Sequence, residues 1–267
     1  MPDPLRALSI AGSDSGGGAG IQADLKTFQA LGVYGMTAIT AVTVQNTKGV
    51  TGYEEVPADV VAAQVRAVVT DIGVDAAKTG MMASAAIVDA VAEAVRETKL
   101  PNLVVDPVFV SKHGHSLLEE DAIEALRSQL LPLATLVTPN LPEAAGLSGL
   151  SIESREDMRR AGEAILKLGP EAVLVKGGHL TEGDATDFLV SADGATPIPG
   201  PRVETPHTHG TGCVLSSAIA AHLARGRELA DAVRAGKRFV TRAIEAHLEI
   251  GEGIGPVNPS WAIRVEE

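Results

Sequence analysis

The sequence THGTGC at residues 208–213 leads directly into the apolar run VLSSAIAAHLA at 214–224 and contains Cys213, the only cysteine of the chain. Such a junction between loop and helix suits an anion, because the first N–H groups of a helix have no partner within it. Gly210 and Gly212 let the backbone approach a ligand closely. The positive helix end also favours a thiolate, so Cys213 is predicted to be ionised and able to accept a proton. A buried, inert cysteine beside an ordinary turn is the alternative.

Short apolar segments rich in β-formers alternate with longer amphipathic segments along the chain, which is typical of βα units around a buried, mostly parallel sheet. We therefore predict an α/β fold in which residues 1–267 form a single domain, because no linker or shift in composition marks a boundary. The segment at 184–204 differs, since two short strands flank Asp193-Gly194, and it is predicted to be an antiparallel hairpin at the sheet edge. The predicted strands are Ala7 to Ala11, Met36 to Val44, Ala76 to Lys78, Leu103 to Asp106, Leu136 to Thr138 and Ala172 to Lys176. The predicted helices are Val60 to Val69, Ala85 to Val95, Ala122 to Leu131, Met158 to Leu168, Val214 to Ala224 and Leu229 to Leu248.

Composition excludes several classes of protein. The formal net charge of −12 argues against nucleic acid as a partner. A single cysteine excludes an internal disulfide and a multi-cysteine zinc site. No run of about 18 apolar residues predicts a membrane span, and the first residues lack the apolar core of a signal peptide. We therefore expect a cytoplasmic protein that acts on a small molecule.

Polar residues and glycines follow six of the predicted strands, where ligands of parallel sheets collect. These segments are Gly12-Ser13-Asp14, Gln45-Asn46, Thr79-Gly80-Met81, Asp106-Pro107, Asn140 with Glu143, and Lys176-Gly177-Gly178. Asp106 and Glu143 offer the oxygen ligands that Mg²⁺ prefers, and Lys176 offers positive charge for a phosphate. No Walker A or GxGxxG pattern is present, so a nucleoside triphosphate site of another fold is predicted. In that site Cys213 would deprotonate an attacking hydroxyl.

Eight segments carry a resemblance to a known family. They are IAGSDSGGGAGIQADLKTF at 10–28, VQNTKGV at 44–50, KTGMM at 78–82, VDPV at 105–108, TPNLPEA at 138–144, VKGGH at 175–179, THGTGC at 208–213 and GIGPV at 253–257. With them the chain resembles, over nearly its whole length, the ribokinase superfamily and within it the phosphomethylpyrimidine kinases of thiamine biosynthesis. The resemblance implies a ribokinase-like three-layer sandwich, with a mostly parallel central sheet between helices. It also implies a homodimer that uses ATP and Mg²⁺ to phosphorylate hydroxymethylpyrimidine to its monophosphate and then its diphosphate.

The resemblance also assigns roles to residues. Sugar kinases of the superfamily carry aspartate where this chain has Cys213, which favours the pyrimidine and pyridoxal branch. Gln45 matches the glutamine that recognises the aminopyrimidine, whereas related pyridoxal kinases have methionine there. An amide offers both a donor and an acceptor, which suits a ring nitrogen beside an exocyclic amine. The implied catalytic residues are Cys213, Gly210, Thr211, Gly212 and Lys176; the substrate residues are Gln45, Ala19, Gly12, Met81 and Val108; the nucleotide residues are Asn140, Glu143, Lys176, Gly178, Thr208 and Gly210; and the metal ligands are Asp106 and Glu143.

Three rival functions stay open at this point. The first is a pyridoxal or pyridoxine kinase of the same superfamily. The second is a non-catalytic pyrimidine sensor, which we would expect to have lost at least one of the reactive side chains. The third is a hydrolase with Cys213 as nucleophile, which would leave the loops around Asn140 and Lys176 without a role.

The histidines of the chain are predicted to play minor parts. His207 and His209 are two residues apart and would point to opposite sides of an extended segment, so we expect loop hydrogen bonds rather than a metal pair. His207 stands where many relatives have asparagine. His113 and His115 flank Gly114 in a loop predicted to lie near the site.

Overall fold

One sheet of nine strands organises the described part of the chain, which is residues 3–109, 120–178, 180 and 184–263 in the computed structural model. The strands are β1 (Arg6–Ser13), β2 (Tyr34–Asn46), β3 (Gly49–Glu55), β4 (Ala76–Thr79), β5 (Leu103–Val105), β6 (Leu136–Val137), β7 (Ala172–Val175), β8 (Asp187–Ser191) and β9 (Gly194–Ile198). Their order is β3-β2-β1-β4-β5-β6-β7-β8-β9. Neighbours from β2 to β7 are parallel, whereas β3, β8 and β9 pair antiparallel. The mostly parallel sheet and the edge hairpin at β8 and β9 are thus confirmed, and β3 is a strand that the sequence pattern did not predict.

Helices cover both faces of this sheet, which confirms the three-layer prediction. The α-helices of the described residues are α1 (Gly20–Ala30), α2 (Ala58–Asp71), α3 (Ala85–Thr98), α4 (Glu120–Ala125), α5 (Leu141–Ser148), α6 (Arg155–Leu166), α7 (Thr211–Ala224) and α8 (Leu229–Glu245). Buried side chains of α2, α3, α5 and α6 form one core with the sheet. Those of α1, α7 and α8 form a second core on the other face. Successive strand residues point to opposite faces, so Leu8 joins the first core and Ala7 the second.

Local signals explain where several helices begin and end. The side chain of Ser154 accepts from the backbone N–H of Asp157, and the side chain of Asp157 accepts from the backbone N–H of Ser154, so a capping box starts α6. The predicted helix from Ala122 to Leu131 is shorter than expected, because α4 passes into a π-helical turn at Leu126–Leu130 and a 3-10 turn at Leu131–Leu133. Pro132 lies in that last turn and has no N–H group to continue the helix.

The order of the strands fixes where a ligand site can form. The chain moves from β1 to β2 on one side and later returns to β4 on the other side of β1. A crevice opens at such a switch point, beyond the carboxyl ends of the strands. Both α1 and α7 begin near it, since an isolated bridge pairs Ser13 with Gly20 and the start of α7 packs on Gly18. None of the helices in the described part of the chain has the length and apolar character that a bilayer crossing requires.

Candidate active site

A cavity lies at the switch point beside β1, β2 and β4. Its wall includes Cys213 and every residue predicted to bind the substrate. Those residues are Gln45, Ala19, Gly12, Met81 and Val108. Met81 is nearly buried, and its sulfur would lie 3.3 Å from a side-chain carbon at Gly12. The cavity is therefore narrow and apolar at Met81, with the Gln45 amide as a polar group of its lining.

The loop before α7 packs tightly against the loop before α1. Gly210 has φ of 82° and caps the amino end of α7. A side-chain carbon at this position would lie 1.8 Å from the carbonyl oxygen of Gly18, so only glycine fits. A side-chain carbon at Gly212 would lie 3.4 Å from Oδ2 of Asp106 and 3.5 Å from Nζ of Lys176. The loop at 210–213 thus lies between the cavity and a cluster of charges.

The charge cluster consists of Asp106, Lys176 and Glu143. Nζ of Lys176 donates to Oδ1 of Asp106 at 3.0 Å and lies 3.9 Å from Oε2 of Glu143. Burial raises the pKa of Glu143 to about 7, and the charge of Asp106 adds to this rise although Lys176 opposes it. Burial would also raise the pKa of Asp106, but Lys176 and Lys78 hold it below its usual value. The cluster therefore has one carboxylate that stays ionised and one that is easily protonated.

Asn140 and Glu143 also stabilise the start of α5. The side chain of Asn140 accepts from the backbone N–H of Glu143 at 2.9 Å, and Oε2 of Glu143 accepts from the backbone N–H of Asn140 at 2.8 Å. This capping box fixes the direction of the Glu143 carboxylate toward Lys176. Two buried carboxylates and few further ligands suit Mg²⁺, which keeps several waters and takes phosphate oxygens from a nucleotide.

The expected resting thiolate at Cys213 is wrong for this structure. Cys213 is the third residue of α7, and it lines the cavity together with Gly20, the first residue of α1. Burial nevertheless raises the pKa of the thiol to about 11, and Lys78 only partly offsets this. The residue is protonated at neutral pH because desolvation outweighs the helix ends. It is not sealed in the interior, however, since it is partly exposed and lines the cavity.

A buried contact between Asp14 and His209 joins the two loops that border the cavity. Oδ2 of Asp14 lies 2.9 Å from Nε2 of His209 and accepts from the backbone N–H groups of Gly18 and Ala19. The same histidine nitrogen is 3.2 Å from Nε2 of Gln45. Sequence analysis predicts only loop hydrogen bonds for His209. The available signal for its part in the site is Asp14, an acidic side chain in a glycine-rich loop, because clustered N–H groups attract a carboxylate.

The remaining predicted residues lie around this centre. Thr208 accepts through its carbonyl from the hydroxyl of Thr211 at 2.8 Å, which stabilises the loop before α7. Gly178 is exposed and its carbonyl accepts from Arg202 at 3.0 Å. His207 accepts from the backbone N–H of Gly255 at 2.9 Å, as expected for a loop hydrogen bond. His113 and His115 lie outside the described residues.

Comparison with known proteins gives a consistent result. Residues 14–258 match the family model described as phosphomethylpyrimidine kinase. The hydroxymethylpyrimidine/phosphomethylpyrimidine kinase of Streptomyces coelicolor is 54% identical over 260 residues, which cover 97% of this chain and 96% of that protein. The thiamine biosynthesis bifunctional protein of Geobacter sulfurreducens is 49% identical over 251 residues, which cover 94% of this chain and 51% of that longer protein.

Two solved structures extend the comparison. The phosphomethylpyrimidine kinase of Clostridium difficile is 47% identical, with a TM-score of 0.80 over 90% of this chain and 99% of that one. The pyridoxal kinase of Bacillus subtilis, solved as an ADP complex, is 40% identical, with a TM-score of 0.89 over 97% of this chain and 98% of that one.

Proposed function

Because this chain belongs to the phosphomethylpyrimidine kinase family, we propose that it transfers the terminal phosphate of ATP to hydroxymethylpyrimidine, and then a second phosphate to the monophosphate, in thiamine biosynthesis. It is a kinase, and the rival functions of a sensor and of a cysteine hydrolase are set aside. Asp106, Glu143, Lys176 and Cys213 are all present, so the chain lacks the damage expected of a sensor.

The observation that carries the proposal is the position of the cavity beside the charge cluster. The cavity holds the Gln45 amide at one side and the Cys213 thiol at another. Gly212, the neighbour of Cys213 in the chain, lies against the charge cluster, because a side-chain carbon there would be 3.4 Å from Asp106 and 3.5 Å from Lys176. A pyrimidine bound to Gln45 would direct its hydroxymethyl group toward Cys213, and a triphosphate over Lys176 would meet it there.

Three groups of the site have separate roles in the reaction. The backbone N–H groups at 210–213 stabilise the negative charge that develops on the transferred phosphoryl group. The ammonium of Lys176 neutralises phosphate oxygens; burial alone would lower its pKa, but Asp106 and Glu143 raise it, so the group stays charged. Cys213, in its minor thiolate form, accepts the proton of the substrate hydroxyl.

We also propose Mg²⁺ as the metal of this reaction. Asp106 and Glu143 would hold it, directly or through its waters, because both are buried carboxylates within reach of Lys176. The ion supplies further positive charge to the phosphate oxygens of ATP.

A pyridoxal kinase is the second candidate, since the Bacillus subtilis and Clostridium difficile structures carry the two different names at comparable similarity. Gln45 favours the pyrimidine. Its amide oxygen is 3.2 Å from the hydroxyl of Thr43, which helps to hold the amide in place at the cavity. A fixed amide recognises an aminopyrimidine through one donor and one acceptor.

The deciding experiment incubates the protein with ATP, Mg²⁺ and hydroxymethylpyrimidine and resolves the monophosphate and diphosphate over time. A parallel reaction contains pyridoxal. We expect the monophosphate to form first and the diphosphate after it. The kcat/KM for hydroxymethylpyrimidine should be higher than that for pyridoxal. Faster phosphorylation of pyridoxal would replace the proposal with the second candidate, and turnover of neither compound would reject both.

We further propose a homodimer in the cytoplasm. Val42 and Val44 alternate along β2, so they lie on one face of the strand, and both are exposed. Apolar residues that recur on one face of an edge hairpin are typical of an interface. Light scattering of the wild type should give twice the chain mass of 27.5 kDa. Val44→Asp should reduce the mass to that of one chain. A wild type with the mass of one chain would refute the homodimer.

A further inference from the structure

A fully buried ion pair lies beside the cavity and has no role in the mechanism above. Lys78 is the only charged residue of β4, and its Nζ is 3.0 Å and 3.2 Å from the two carboxylate oxygens of Asp24 on α1. Asp24 also accepts from the hydroxyls of Ser9 and Ser217, each at 2.6 Å. Both members of the pair are 0% exposed. A buried ion pair is no better a stabiliser than apolar packing of the same volume, so its presence calls for another explanation.

The geometry of two helices places this pair directly below the thiol. Gly20 and Asp24 are four residues apart on α1, and Cys213 and Ser217 are four residues apart on α7, so each pair lies on one face of its helix. The hydroxyl of Ser217 donates to Asp24, which joins the two helices one turn beyond Gly20 and Cys213. Gly20 and Cys213 themselves both line the cavity. Lys78 lines the same cavity as Cys213.

Four charged side chains act on the sulfur, from four different elements. Lys78 from β4 and Lys176 after β7 attract a thiolate, whereas Asp24 from α1 and Asp106 after β5 repel one. Lys78 acts more strongly on the thiol than Asp24 does. Lys176 is also occupied by Asp106 and Glu143, and it would be occupied further by a nucleotide. The ammonium of Lys78 is held by Asp24 rather than by a phosphate, so its position beside the cavity does not depend on a bound nucleotide.

We propose that Lys78 is a positioning residue for the first phosphorylation, in which its buried ammonium, held by Asp24, supplies the fixed positive charge that a thiolate at Cys213 needs. This role rests on the proposed function. In that step the sulfur takes the proton of the substrate hydroxyl, the substrate oxygen forms a bond to the terminal phosphorus of ATP, and the bond from that phosphorus to ADP breaks. The second phosphorylation has an anionic phosphate as acceptor and needs no thiolate, so Lys78 contributes little to it.

The single cysteine of the chain provides a direct test, because a thiol reagent reports Cys213 alone. The rate of alkylation by iodoacetamide is measured against pH by intact mass for the wild type, Lys78→Met and Asp24→Asn. The proposal requires shifts of opposite sign: Lys78→Met raises the pKa of the thiol and slows alkylation at pH 8, whereas Asp24→Asn lowers the pKa and speeds it. A fall of one unit gives tenfold more thiolate, but a less basic thiolate is less nucleophilic, so the net gain is about threefold.

A control is available in another ion pair, in which Asp187 is buried and Lys237 is mostly buried. Nζ of Lys237 is 2.7 Å from Oδ2 of Asp187, and neither residue lines the cavity. Lys237→Met should destabilise the fold to a similar extent and leave the alkylation profile unchanged. In product assays we expect Lys78→Met to slow formation of the monophosphate by about a hundredfold, as for loss of general-base assistance, and formation of the diphosphate from added monophosphate by less than about threefold.

The alkylation results distinguish an electrostatic role of the ion pair from a purely structural one. If both variants shift the profile in the same direction, or if Asp24→Asn leaves it unchanged, the pair is only structural and the proposal is overturned. If Lys78→Met does not fold, as judged by thermal denaturation, Asp24→Asn alone decides. The alkylation assay needs no substrate, so opposite shifts in a protein that fails to phosphorylate hydroxymethylpyrimidine would reject the proposed function while the charge relation between Lys78 and Cys213 stands.

Discussion

The carboxylate of Asp14 lies 2.9 Å from Nε2 of His209, and this contact holds the loop before α1 against the loop before α7. Oδ1 of Asp14 also accepts from Gly16, and Oδ2 accepts from Gly18 and Ala19. Asp14→Asn replaces one acceptor oxygen with an amide nitrogen that cannot accept. We expect a loss of about 2 kcal/mol in the free energy of unfolding at pH 7, together with a higher KM for the pyrimidine. Urea denaturation and steady-state kinetics measure the two effects.

The pH dependence of this loss has a definite sign. Burial would raise the pKa of Asp14, but hydrogen bonds from His209 and the backbone hold it below its usual value. A carboxyl with a lowered folded pKa contributes stability that is complete above its unfolded pKa, about 4, and is lost as the pH falls through the folded value. The difference in stability between the wild type and Asp14→Asn should therefore shrink below about pH 4. A difference that grows on acidification would contradict this account.

Gly210 tests whether the junction of the two loops must be this tight. Its φ of 82° is strained for other residues, and a side-chain carbon would collide with the Gly18 carbonyl. We expect Gly210→Ala to lower kcat/KM by at least about a hundredfold, because the N–H groups at 210–213 would move away from the phosphoryl group. Gly52 on β3 has no neighbour within 4 Å of such a carbon, so Gly52→Ala is the control and should keep its activity. Equal kinetics for both variants would show that the loop adapts.

The sequence predicted the strands whose apolar runs are buried, because a strand covered on both faces must be apolar throughout. It did not predict β3, since the segment Gly49–Glu55 includes two glycines and two glutamates and is mostly exposed. Antiparallel pairing with β2, rather than its own propensity, makes this segment a strand.

The candidate site was also predicted only in part. The cavity residues were predicted through short motifs, but the protonation of Cys213 was not, because desolvation depends on residues from several distant elements. Lys78 gave a signal that could have been used: a lysine in the buried strand Ala76–Thr79 requires a counter-charge. The sequence alone could not identify that partner as Asp24, which is 54 positions away.

Glu143 gives a prediction for stability against pH. Burial and the nearby Asp106 raise its pKa to about 7, above its usual value of 4.5. A carboxyl with a raised folded pKa contributes stability below its unfolded pKa that is lost as the pH rises through the folded value. Relative to Glu143→Gln, which keeps the cap on Asn140, the wild type should lose about 2 kcal/mol between pH 5 and pH 8. Urea denaturation in EDTA measures this, and a parallel pH dependence of the two proteins would refute it.

Cys213→Ala separates the two phosphorylation steps. A hydroxyl acceptor must lose a proton, whereas a phosphate acceptor is already anionic, so the thiol should matter mainly in the first step. We expect the monophosphate to form at least about a hundredfold more slowly and the diphosphate to form from added monophosphate at close to the wild-type rate. Rapid quench with each substrate in turn measures the two rates. Equal slowing of both would instead make Cys213 a contributor to the shape of the phosphate loop.

We propose that Gln45 makes the site prefer the pyrimidine to pyridoxal, and Gln45→Met tests this preference. The amide oxygen lies 3.2 Å from the hydroxyl of Thr43, and methionine would replace the amide with a flexible apolar chain that offers no donor. A site that has lost a bidentate partner discriminates less, so kcat/KM for hydroxymethylpyrimidine should fall about a hundredfold while that for pyridoxal is unchanged or rises. Gln29→Met provides the control, because Gln29 is an exposed residue of α1. If the two variants keep the same ratio of kcat/KM for the two substrates, recognition of the pyrimidine lies elsewhere in the cavity wall.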